Sequence, residues 1–130
     1  MKNMQAKFAT VTLIVMFVLV GHAAVAQQPP SEDVPDNVAG KWTIYSKNVD
    51  NNESVTKYVE IVQNGNVLSG HFKGPNQSGG IQGSIHVHHI EFSTKTRNVL
   101  TFRGQVEGDH MRGMYGIHGR HAEWEAVRQN

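Results

Sequence analysis

The chain has 130 residues, with 12 Lys and Arg against 11 Asp and Glu, 8 His and no cysteine. A formal charge of +1 gives no sign of a nucleic-acid partner, and none is expected, while the absence of thiols excludes disulfide staples and thiolate metal sites. Stability must come from a hydrophobic core and a hydrogen-bonded backbone alone.

Lys2 and Lys7 precede an apolar run from Phe8 to Val20, which ends in Gly21, His22 and the small-residue triplet Ala24, Val25, Ala26. This is the layout of a secretory signal peptide over residues 1–26, with cleavage expected before Gln27 and a retained N-terminal helix as the alternative. The run is short for a membrane anchor, and no cysteine follows it to carry a lipid, so no membrane span is expected after cleavage. The expected destination is the periplasm or the exterior. Cleavage removes both early lysines and no acid, which leaves about 104 near-neutral residues, enough for one domain. Residues 27–38 carry three of the four prolines and three acids without periodicity, and read as a flexible leader ahead of a domain over 39–130.

From Ala39 onward short alternating runs rich in Val, Ile, Thr, Tyr and Phe are separated by Gly, Asn and Asp, and no run keeps helical spacing over three turns. Eight strands are predicted, over about 40–47, 55–63, 67–73, 79–86, 89–94, 98–106, 110–116 and 121–128. Three hairpins repeat one another: the segments starting at Gly65, Val87 and Gly108 align at spacings of 22 and 21 residues. Equal hairpins in series make a meander, and closing strand eight onto strand one removes both exposed edges. The expected fold is therefore all-β, an eight-stranded antiparallel up-and-down barrel, with an open curved sheet or two-layer sandwich as the alternative.

Alternation assigns Trp42, Ile44, Val59, Ile61, Leu68, Phe72, Ile81, Ile85, Ile90, Phe92, Leu100, Phe102, Val106, Met111, Tyr115 and Trp124 to the inner face. Gly70, Gly83, Gly104 and Gly113 fall on the same face, where they either coil the strands around a packed interior or leave room for a ligand.

Gly40-Lys41-Trp42 opening the first strand, with Trp124 and Arg128 in the last, resembles the calycin superfamily of lipocalins, fatty-acid-binding proteins and avidins. The resemblance covers Gly40 to Arg128. It implies a barrel closed at one end by the first-strand Trp with a basic residue stacked over it, and a ligand mouth at the other end. Within the superfamily Gly40-Lys41-Trp42-Thr43 and Leu68-Ser69-Gly70-His71-Phe72 look avidin-like, but Ile44 stands where avidins carry a biotin-binding Asn. The resemblance thus implies a shortened avidin-like or lipocalin-like bacterial exported domain whose ligand is not biotin.

The loops at residues 47–54, 74–78, 94–98 and 117–120 would open at the mouth, which gathers Lys47, Lys73, Lys95, Arg97, His118 and Arg120 against Asp50 and Glu53. This charge excess favours a small anionic ligand with an apolar part. The candidate ligand-binding residues are Phe72, Lys73, Phe92, Arg97, Phe102, Tyr115, His118 and Arg120. His86, His88 and His89 crowd one turn, but their spacing matches no zinc motif, so no metal and no cofactor is expected. Nucleophile elbow, P-loop and zincin motifs are missing, and no catalytic residue is assigned. A small-molecule-binding barrel is the leading reading. A small barrel enzyme of isomerase or cyclase type, and a packed structural or partner-binding barrel, are the alternatives. A homo-oligomer is left open.

Overall fold

The computed structural model describes residues 34–130, which form a closed barrel of eight antiparallel strands in simple up-and-down order. The expected signal peptide lies outside the described residues. The strands are β1 (Gly40–Lys47), β2 (Ser54–Asn64), β3 (Val67–Lys73), β4 (Ser78–His86), β5 (His89–Lys95), β6 (Thr101–Glu107), β7 (His110–Ile117) and β8 (Arg120–Arg128). Closure is made by β1 against β8, with Trp42 opposite Arg128 and Ser46 opposite Trp124. The barrel has no open edge strand.

Two-residue turns join β2 to β3, β4 to β5 and β6 to β7, and each opens on a residue in the left-handed region. Their first central residues have positive φ: 64° at Gly65, 55° at Val87 and 65° at Gly108. The repeat seen in the sequence is therefore a repeat of turn conformation, with Val87 holding a shape that the other two positions fill with glycine. A β-branched residue is strained there. Val87 is held by the segment ahead of β1: the Asp36 N–H donates to the Val87 carbonyl at 2.9 Å, and the Asp36 carboxylate pairs with His88 at 2.9 Å. Asp36 to Val38 thus belong to the folded unit, with Val38 fully buried and its N–H donating to Gln63 Oε1.

The sixth strand begins at Thr101 rather than near residue 98. The Leu100 N–H donates to Thr94 Oγ1 at 3.0 Å and the Thr94 N–H to the Leu100 carbonyl at 2.9 Å, while the Asn98 N–H is taken by Gln77. These bonds fold residues 96–100 into a clamped loop.

Inside, alternation delivers the aromatic side chains to one stack. Phe92 and Phe102 lie with ring centroids 4.9 Å apart, Tyr115 covers the other side of Phe102 at 5.4 Å, and Trp124 meets both phenylalanines edge-on. Phe72, Phe92 and Phe102 are wholly buried. Gly104 and Gly113, opposite each other on β6 and β7, make this possible. A Cβ at Gly113 would overlap the Arg103 carbonyl, and one at Gly104 would press on Trp124 at 3.0 Å. The close approach lets the Trp124 indole N–H reach the Arg103 and Met114 carbonyls, both at 3.1 Å. The barrel centre is a packed aromatic core.

Candidate functional site

The two ends of the barrel differ in kind. At the base, Trp42 is fully buried and donates its indole N–H to the Val38 carbonyl at 2.9 Å. The Arg128 guanidinium lies 4.5 Å above the Trp42 ring, and binds the Ala39 and Asn37 carbonyls and the Asp109 carboxylate. Each of the three guanidinium nitrogens donates to a partner within the fold, so the base is a latch rather than a binding site.

At the mouth the β1–β2, β3–β4 and β5–β6 loops surround a cavity of about 510 Å³. Phe72, Leu100 and Tyr115 form apolar wall, and Lys57 enters from β2. Lys57 stands two residues before Val59 and four before Ile61, on the inward phase of the strand, and is only 7% exposed. Its ammonium donates to Ser46 Oγ from β1 and lies 5.0 Å from the centroid of the Tyr115 ring. Tyr115 in turn donates its hydroxyl to the Lys47 carbonyl at 2.5 Å. Among the described residues no carboxylate stands within ion-pair distance of Lys57.

The electrostatics follow from burial. Desolvation lowers the Lys57 amine from the ordinary 10.5 to about 8. Burial also pushes the Tyr115 hydroxyl up, a hydrogen bond with Ser46 partly offsets this, and Asp50 adds to the rise. The carboxylate in the cavity lining is already engaged: Asp50 is ion-paired with Arg120, whose second nitrogen donates to the Val49 carbonyl at 2.7 Å. What faces the cavity uncompensated is therefore positive, from Lys57 at the floor and Arg97 at the rim.

Of the side chains singled out in the sequence, Phe72, Arg97 and Tyr115 line this cavity together. Phe92 and Phe102 lie deeper, in the packed stack. Lys73 points outward at the end of β3, His118 bonds Asn98 Oδ1 at 3.1 Å in the β7–β8 turn, and Arg120 ties the β1–β2 loop to β8. Lys57 and Ser46 were not singled out. Their signal was present, because a lysine in phase with Val59 and Ile61 must point inward.

A second concavity lies on the outer wall of β7, β8 and β1, among Arg112, Glu123, Glu125 and Met114. Its Arg112, Glu123 and Glu125 are ordinary exposed sheet-face side chains and it holds no buried charge, so the mouth is the stronger site. Among the described residues no group of three or more His, Asp or Glu is placed to share a metal ion, and no helix is long and apolar enough to cross a membrane. Comparison with protein-family models and with curated proteins gives no match.

Proposed function

We propose that this chain is an exported calycin-like barrel that holds a small, partly apolar anion in its mouth. The observation that carries the reading is Lys57, a buried ammonium at the floor of an apolar-walled cavity with no carboxylate partner among the described residues. An unpaired buried cation costs stability, and a bound carboxylate, sulfonate or phosphate would relieve that cost by forming the missing pair. Phe72, Leu100 and Tyr115 supply the apolar contact, and Arg97 supplies attraction from the rim. The calycin likeness is supported by Arg128 stacked on Trp42 at the closed base. Export is supported by the apolar run and the Ala24-Val25-Ala26 triplet.

Fluorescent amphiphiles of equal length test the binding. A sulfonate probe is expected to bind more tightly than a quaternary-ammonium probe, with the gap narrowing as salt rises. Lys57→Met should close most of the gap, and Arg97→Glu should reduce it without changing the melting temperature. Equal affinity for the two probes, or no binding of either, would favour the packed structural barrel, a reading for which the filled aromatic centre is the supporting observation.

A further inference from the structure

Lys57 is more than a counter-charge. Its amine is anchored from two sides, by the hydrogen bond to Ser46 and by the Tyr115 ring, so the nitrogen sits at one defined place on the cavity floor. We infer that Lys57 captures carbonyl compounds: a small apolar aldehyde entering the mouth forms a reversible imine with its Nζ. This deepens the proposal above and rests on the mouth being a ligand site.

The chemistry balances without a co-reactant. The lone pair of the neutral amine attacks the carbonyl carbon, a C–N bond forms as the C=O π bond opens, and the proton that nitrogen then sheds passes to the oxygen to give a carbinolamine. Loss of that hydroxyl with a proton from nitrogen leaves a C=N bond and releases one water. The step needs an unprotonated amine, a fixed approach and a site poor in water. Burial holds the amine at about 8, so roughly a tenth of it is neutral at pH 7, against less than a thousandth for an ordinary lysine. Of the groups that face the cavity with it, Tyr115 from β7 has its hydroxyl pushed up by burial and stays neutral, Asp50 in the β1–β2 loop is paired with Arg120, and Arg97 lies in the β5–β6 loop. Phe72 and Leu100 present an apolar wall suited to an aryl or short alkyl aldehyde. Protonated, the amine pairs with an anion; neutral, it attacks a carbonyl.

Reductive trapping tests this. Purified protein is incubated with benzaldehyde and sodium cyanoborohydride at pH 7, and the benzylated positions are located by peptide mass mapping. The expected result is one benzyl group on Lys57, appearing at least 10-fold faster than on Lys41, Lys47, Lys73 or Lys95, with a rate that climbs to about pH 8 and then levels. The sulfonate probe should block it. Lys57→Arg, which keeps the charge, should lose the adduct and retain the preference for the sulfonate, and Lys57→Met should lose the adduct and most of that preference. The mapping in the parent protein decides the matter even if a variant fails to fold. Benzylation spread over the exposed lysines with Lys57 spared overturns the inference. Absence of the Lys57 adduct in a protein that still binds the sulfonate overturns it while leaving the anion-binding reading intact. Selective Lys57 labelling without sulfonate binding upholds it and removes that reading instead.

Discussion

Two residues fix the character of the two ends, and each makes a prediction. Trp42 fills the base, so Trp42→Ala is expected to cost about 3–5 kcal/mol as a buried large-to-small change, read by chemical denaturation. Arg128→Ala should cost less, about 1–2 kcal/mol, because it leaves the indole in place while freeing the Ala39 and Asn37 carbonyls to water. At the other end Lys57 destabilises the fold whenever it is charged. The folded chain holds this proton less tightly than the unfolded chain, so unfolding takes up a proton between about pH 8 and pH 10.5. Stability should therefore rise with pH through that window, and the full cost of burial, on the order of 1–3 kcal/mol, is felt below it. Tyr115, raised from its ordinary value, works in the opposite direction only at the alkaline end. Lys57→Met should accordingly be more stable than the parent at pH 7, with the difference shrinking by pH 9.5. A difference that is constant across that range would mean that the amine is solvated.

At the scale of single elements, the turns show what a sequence reveals and what it conceals. The matching segments at Gly65, Val87 and Gly108 announced equal hairpins, and all three turns open on a residue of positive φ. That one of them should be valine has no local explanation. It becomes intelligible only when the chain ahead of β1 is seen to bond the Val87 carbonyl and His88. That contact joins residues 51 and 52 positions apart, beyond the reach of any local pattern. Val87→Gly should stabilise the protein by up to about 1 kcal/mol, since relief of left-handed strain outweighs the added flexibility of the unfolded chain. A loss of stability on this substitution would indicate that the Val87 side chain packs more strongly than its backbone is strained. The start of β6 was concealed for a similar reason: Asn98 to Leu100 look extended, but Thr96 and Gln77 take the Asn98 backbone groups, and Thr94 the Leu100 N–H, out of the ladder.

For the whole molecule, period-two alternation carried most of the fold, because a closed meander pairs each strand with its sequence neighbours and leaves little topology to choose. The inner-face side chains read from that pattern, from Trp42 on β1 to Trp124 on β8, are buried. The site was less legible. A mouth rich in cations could be expected from the loops, yet partnership is decided across the barrel: Arg120 is neutralised by Asp50, 70 positions away, while no carboxylate among the described residues pairs with Lys57. Attention to charged loops therefore passed over a charge hidden in a strand. The central claim is that the mouth, through Lys57, is where this barrel meets its ligand. It is tested most directly by titrating isotopically labelled protein with a small aromatic sulfonate and following the backbone amide and Lys57 side-chain NMR signals. Shifts are predicted to cluster at Val49, Asp50, Lys57, Gly74, Asn76, Asn98 and Tyr115, with the Lys57 amine staying protonated to higher pH when the sulfonate is bound. Shifts scattered over the outer wall, or a Lys57 amine that does not respond, would contradict the account.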